Sequence, residues 1–189
     1  MELLDLKELR AEVGRRMDGA IEHVRKELAG VRTGRASASM LEPVHVEAYG
    51  TSMPLNQVAS LSVPEPAMIV VQPFDASLTA AIDRGIQKAN LGLNPMVDGK
   101  ILRVPIPPLT EERRRELSRL VHKYAEDSRN AVRQVRRDAN DRLKRMLKDH
   151  QVSEDEERRA LDEVQKVTDE HVAMIDEMQK KKDHELLGK

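Results

Sequence analysis

The chain has 189 residues, room for one large domain or two modest ones, with 34% charged side chains, 2% aromatic ones and no Trp. It contains no Cys, which excludes disulfides, thiolate metal sites and a cysteine nucleophile, and which fits a reducing compartment. The formal net charge of −1 hides a segregation: residues 129–148 carry eight Lys or Arg against two acids, residues 149–189 carry seven against thirteen, and residues 30–104 balance at six against six.

So much charge with so few aromatics suits long, solvent-washed helices with aliphatic seams better than an aromatic-rich enzyme. No apolar run approaches the ~20 residues a membrane span needs. The stretch Met1 to Arg10 is acidic and amphipathic, unlike a signal peptide, so a cytoplasmic protein without a membrane contact is expected.

From residue 3 to about residue 31, apolar side chains recur at Leu6, Leu9, Val13, Met17, Ala20, Val24, Leu28 and Val31. Steps of three and four predict a helix with one buried stripe. Gly30, Gly34 and the small residues Ala36 to Ser39 end it. Residues 32–104 then gather most of the Pro and Gly clusters and the β-type runs. Val44, Val46 and Ala48 alternate with polar residues up to Tyr49-Gly50, and Ala67 to Gln72 is a second β-branched run. Asp75 can cap a helix with an apolar face of Leu78, Ile82, Ile86 and Ala89, with Gly92 just past its end. Asp98-Gly99 reads as a hairpin turn feeding a strand from Ile101 to Ile106.

Pro105, Pro107 and Pro108 stiffen the return, and Thr110 is placed to cap a second long helix with Glu111 and Glu112 in its first turn. The predicted seam of that helix is Leu117, Val121, Tyr124, Ser128, Val132, Val135, Ala139 and Met146. A third helix starts at Ser153, which with Glu156 forms a capping box, and its seam is Leu161, Val164, Thr168, His171, Ile175 and Met178. None of the three can leave its stripe in water. An α+β fold follows: an antiparallel three-helix bundle from residues 1–31 and 105–189, with a small α+β domain, residues 32–104, inserted between helix one and helix two. The seams are used up within one chain, so a monomer is expected. The insert hangs on two connections, and a hinge is expected at Val31, Arg32, Thr33 and Gly34 on one and Val104, Pro105 and Pro107 on the other.

The residues offer no catalytic constellation. His23, His45, His122, His150, His171 and His184 are scattered, with no HExxH pair, and His171 on the third seam reads as a packed histidine. Neither GxxxxGK[ST] nor GxGxxG occurs, and the acids Glu154 to Glu157 read as a favourable first helical turn. No metal, cofactor or enzymatic activity is expected.

The second long helix is the segment that asks for a function. At 100° per residue Arg129, Arg133, Arg136, Asn140 and Lys144 fall within an arc of about 80°. The seam lies about 120° away, so these side chains are expected to form a separate exposed stripe, widened by Arg137, Arg145 and Lys148. Two acids, Asp138 and Asp141, cannot neutralise eight bases locally. Arginine forks suit phosphate oxygens, and with few aromatics for stacking, backbone or shape recognition of folded RNA is the reading.

Several motifs carry a resemblance. Arg32-Thr33-Gly34-Arg35-Ala36-Ser37 opens the insert, followed by Tyr49-Gly50-Thr51 with Pro54-Leu55, Leu91-Gly92-Leu93-Asn94-Pro95, and Arg103-Val104-Pro105-Ile106-Pro107 running into Leu109 to Arg114. Ala131-Val132-Arg133 through Arg136-Arg137-Asp138-Ala139-Asn140-Asp141, then Val152-Ser153-Glu154-Asp155 and Gln165-Lys166-Val167-Thr168-Asp169, complete the set across nearly the whole chain. The sequence resembles the bacterial ribosome recycling factors, departing at Ser39, where many members have Pro. The resemblance implies an L-shaped pair, an elongated three-helix bundle hinged to a β/α/β domain. It also implies binding to the large ribosomal subunit after peptide release and, with elongation factor G and its GTP, separation of the subunits. Carried over residue by residue, Arg133 and Arg136 are the first expected contacts to large-subunit ribosomal RNA. Arg129, Arg137 and Lys144 come next, and Arg32 and Arg35 near the hinge after them. The rival class is a helical protein–protein adaptor or chaperone, which salt-sensitive RNA binding would exclude; a hydrolase comes third, for want of a constellation.

Overall fold

The structure, a computed structural model, describes residues 6–188. Two compact units form, one from the residues up to Thr33 together with those from Glu111 onward, the other from Gly34–Thr110.

The first unit is three helices: α1 (Leu6–Ala29), α4 (Glu111–Lys148) and α5 (Glu154–Leu187). The expected start of α1 at residue 3 lies outside the described residues. Arg16 on α1 pairs with Asp138 on α4, and Ser128 Oγ on α4 donates to the Ala20 carbonyl, so α1 and α4 run antiparallel. Ser118 on α4 meets Asp183 on α5 while Arg136 meets Gln165, which sets those two antiparallel as well.

The buried seams are Leu9, Val13, Met17, Ile21, Val24 and Leu28 on α1, and Ala160, Val164, Thr168, His171, Ile175 and Leu186 on α5. On α4 they are Leu117, Val121, Ala125, Ser128, Val132, Val135, Ala139 and Leu143. Six expected positions shift, Leu6 at the start of α1 staying half-buried. Ile21 takes the place given to Ala20, Ala125 that of Tyr124, Leu143 that of Met146, and Leu161 and Met178 stay half-buried while Ala160 and Leu186 go under. The reason is geometric. Helix α4 packs against two neighbours, so its buried arc is wider than one stripe, and small Ala fits where two backbones come close. The polar seam residues are satisfied inside the bundle. Thr168 Oγ1 donates to the Val164 carbonyl at 2.7 Å, and His171 meets the Val167 carbonyl through Nδ1 and Asp18 through Nε2. His171 is therefore a packed, doubly hydrogen-bonded side chain.

Helix α5 opens on the expected capping box: Ser153 Oγ accepts from the Glu156 amide at 3.2 Å and Glu156 Oε2 accepts from the Ser153 amide at 2.8 Å. Replacing Ser153 with Ala leaves a first-turn amide without its acceptor, a loss of about 1 kcal/mol. Chemical denaturation should show it as a lower midpoint at unchanged slope.

The second unit holds β1 (His45–Ala48), β2 (Thr51–Pro54), a single turn α2 (Leu55–Val58), β3 (Ala59–Glu65), β4 (Met68–Pro73), α3 (Thr79–Lys88), β5 (Met96–Asp98) and β6 (Ile101–Pro105). Strands β1 and β2 pair antiparallel, and β3-β4-β6-β5 form a four-stranded antiparallel sheet. The β1–β2 turn has positive φ at both central residues, Tyr49 and Gly50, the mirror-image geometry that matches strand twist. Tyr49 is a non-glycine in that region, and its hydroxyl is tied to Asp75 at 3.0 Å. Edge strand β3, unannounced by alternation, carries Pro64, and its register slips between Ser62 and Glu65 because proline has no N–H to give the ladder. Asp75 caps a short 3-10 turn, Ala76–Leu78, that leads into α3. The core joins Leu41, Val44, Val46, Ile69, Val71, Ile82, Ile86, Leu102 and Val104, all buried to within 1%.

The return connection differs from expectation. Val104 is fully buried and paired with Ile69, Pro105 is paired with Met68, and the Ile106 amide donates to the Ala67 carbonyl at 2.8 Å. Val104 and Pro105 are thus sheet residues and not pivots, and the segment to Thr110 goes with the inserted unit rather than the bundle. Val31 is buried with its amide bonded to Leu28, an extension of the end of α1.

Candidate nucleic-acid interface

Eight Lys or Arg lie between Arg129 and Lys148 on α4, and the fold sorts them into two sets. One set is spent on helix packing. Arg129 has only 15% of its side chain exposed and binds Asp176 on α5 at 2.7 Å, Glu126 at 2.9 Å and Gln179 at 3.0 Å. Arg142 pairs with Glu12 on α1. Arg136 reaches Gln165 on α5 at 3.4 Å, and Arg133 leans on Glu126 and Asn130.

The other set is Arg137, Lys144, Arg145 and Lys148, all exposed and, among the described residues, without an ion pair or hydrogen bond of the side chain. At 100° per residue Arg137, Lys144 and Lys148 share an arc of about 40°, roughly opposite the buried seam. The expected stripe is corrected here. Arg129 flanks the α4–α5 seam, Arg136 abuts it and Asn140 is half-buried with an unpartnered Oδ1, because Ala125 and Leu143 carry the seam to within about 20° of Arg136, about 40° of Arg129 and about 60° of Asn140. Free positive charge sits on the outward face instead, with Arg133 at its margin.

Arg32 is not brought to this face. Arg32 follows the end of α1, which antiparallel packing sets beside the early part of α4, and Arg35 belongs to the other unit. Both are exposed, and Arg32 has a partner.

Two carboxylates in the bundle are pulled below their ordinary range by cations. The Arg129 guanidinium is the main cause for Glu126, with Arg133 adding to it, and for Asp138 the cause is Arg16, followed by the Gln134 amide. The sign of the pH effect follows. As pH falls through the ordinary carboxylate range, the unfolded chain takes up protons that the folded chain still refuses. Stability from these groups, full above that range, declines with acid and is gone below their lowered values. In a thermal-denaturation series against pH, Glu126→Gln with Asp138→Asn should lose melting temperature less steeply than the parent on the acid side.

A Ser/His/Asp cluster also forms, unforeseen because its members come from two helices. Asp183 accepts from Ser118 Oγ at 2.9 Å and meets His122 Nε2 at 2.7 Å. The aspartate bridges serine and histidine, so the imidazole does not face the hydroxyl and cannot serve it as base. Among the described residues no group of three His, Asp or Glu is placed to hold a metal, and no helix is long and apolar enough to cross a membrane.

A small sheet unit inserted in sequence between the first and second helices of a three-helix bundle, with free positive charge on one outward face of α4, defines a protein with a charged binding surface. Residues 24–187 match the family model described as ribosome recycling factor. The ribosome-recycling factor of Methylocella silvestris is 59% identical over 139 residues, 74% of this chain and 75% of its own length. That of Rhodospirillum centenum is 60% identical over 135 residues, 71% of this chain and 73% of its own. A solution structure of the ribosome recycling factor covers 100% of both chains at 40% identity with a TM-score of 0.76. The T. thermophilus ribosome recycling factor, described with the E. coli elongation factor G bound to the E. coli post-termination complex, aligns over 97% of this chain and 99% of its own at 47% identity and a TM-score of 0.63. The chain belongs to the ribosome recycling factor family.

Proposed function

We propose that this chain recycles ribosomes. It binds the post-termination ribosome on the large subunit and, with elongation factor G and GTP, promotes separation into subunits and release of mRNA and tRNA. Family membership supports the activity, and the relative described on the post-termination complex supports the partners. In this reading the chain performs no bond chemistry, needs no cofactor and works in the cytoplasm as a monomer.

The observation that carries the RNA contact is the surplus of cations on α4: Arg137, Lys144 and Lys148 are exposed and unpaired, and Arg133 and Arg136 beside them are half-buried, Arg136 with only a neutral partner in Gln165. Arg133, Arg136, Arg137 and Lys144 contact large-subunit ribosomal RNA, each neutralised phosphate adding a salt-sensitive increment of affinity. Arg129 holds α5 in register behind them, and Arg32 and Arg35 add contacts near the connections. The pivot between the two units lies in Arg32–Gly34 and Pro107–Thr110, where the chain belongs to neither helix nor ladder.

The test is sedimentation of the protein with large subunits at low and moderate salt, for the parent and for Arg133→Ala/Arg136→Ala. Binding should fall with salt and fall further in the folded double variant. Equal, salt-indifferent binding in both would hand the function to a protein–protein adaptor.

A further inference from the structure

The inserted unit has a groove of about 520 Å³ between the β1–β2 ladder and α3. Its floor is backbone. A Cβ on Gly85 would stand 2.7 Å from the His45 carbonyl oxygen, so only glycine lets α3 close down on β1 there. Arg84 and Lys88 stand on α3 four residues apart, about 6 Å along the axis. Both are exposed and, among the described residues, neither has a carboxylate partner. Across the groove are His45 and Glu47 on β1 and Ser52 on β2. The Pro43 carbonyl, an acceptor only, takes the Nδ1 hydrogen of His45 at 3.1 Å and so fixes the ring with Nε2 unpartnered.

We propose that this groove seats the ribose-phosphate backbone of an RNA, a second RNA contact separate from the cationic face of α4; it rests on the ribosome-binding reading above. Arg84 and Lys88 supply the cations for two phosphate oxygens. Glu47 opposite them repels any anion set against it, so the phosphates lie on the α3 side of the groove and the β1 side calls for a hydrogen-bond donor. A ribose hydroxyl can donate to Glu47. No Phe, Tyr or Trp lines the groove, so the backbone is read chiefly through charge and the 2′-hydroxyl.

The experiment is a backbone-amide NMR titration of the full chain with a short RNA duplex, with a DNA duplex of the same sequence, and with a poly-glutamate peptide. Arg84→Gln/Lys88→Gln and Glu47→Gln are run beside the parent. All three side chains are exposed, so folding is kept. RNA should shift the amides of His45, Gly85 and Lys88, in a salt-dependent manner, and DNA should shift them less. In Arg84→Gln/Lys88→Gln these shifts should vanish while those on α4 persist. Glu47→Gln should narrow the difference between RNA and DNA.

Shifts on α4 alone would overturn the groove and leave the proposed function standing. Silence at both places would count against both. A groove that answers the peptide and ignores RNA would make it a docking site for an acidic protein.

Discussion

Gly85→Ala should destabilise the inserted unit, although alanine is the better helix former. In an exposed helix interior the exchange gains about 1 kcal/mol from the entropy of the unfolded chain. Here Gly85 is buried in α3, and the new methyl would meet the His45 carbonyl oxygen at 2.7 Å. That oxygen is backbone and cannot swing away like the end of a side chain. It belongs to β1, whose Val46 and Ala48 are held in the same core as Ile82 and Ile86 of α3. Relief means lifting the helix off the strand and opening contacts among those side chains, which overpacked cores show to cost about 1–3 kcal/mol. The clash therefore outweighs the propensity. Hydrogen exchange should show protection falling in β1 and α3, and Gly85→Val, larger and β-branched, should lower it further. Protection equal to or above that of the parent would mean that β1 gives way freely, and the close approach would lose its meaning.

The second large effect separates two kinds of arginine on one helix. Arg137→Gln/Lys144→Gln/Lys148→Gln removes three cations that no carboxylate of the described residues holds. It should leave the melting temperature near that of the parent and lower the salt slope of large-subunit binding by about three units. Arg129→Gln should do the reverse. Its guanidinium joins α4 to Asp176 and Gln179 of α5 and to Glu126 of its own helix, with 15% of the side chain exposed. Its loss leaves those partners without their donor, so the melting temperature should fall by a few degrees while the salt slope changes by less than about one unit. Thermal denaturation and sedimentation on the same samples give both readings. A slope that falls as much for Arg129→Gln as for the triple variant would restore Arg129 to the RNA-facing set.

Local signals made much of this fold legible. Ser153 and Glu156 are three residues apart, and their reciprocal bonds are fixed by helix geometry wherever the helix lies. Val44, Val46 and Ala48 alternate because a pleated strand sends successive side chains to opposite faces. Gly99 marks the β5–β6 turn because its φ of 62° is one that few other residues adopt, although the turn is centred on Gly99 and Lys100, with Asp98 closing the strand before it. In each case the cause and the effect lie within one or two turns of chain. Edge strand β3 escaped because Pro64 breaks its pattern and its outer face has nothing to bury, so Val63 stays 40% exposed.

The candidate site shows the same boundary more sharply. Counting charges between residues 129 and 148 finds a surplus of base, and the sequence determines that surplus without help. It cannot say which bases are free, since Arg129 is neutralised from Asp176, 47 positions on, and Arg142 from Glu12, 130 positions back. The groove beside α3 was invisible for a related reason: Gly85 reads as a poor helix residue until β1 is packed against it. The sequence alone determined the long helices, the strands with clear alternation, the order of the insert within the bundle and the family, because periodicity, caps and motifs are short-range and additive. Only the tertiary structure decided which charges remain unspent and where backbones touch. Those are properties of groups brought together across the chain, and they follow from the packing of α4 between two helices and of α3 on β1.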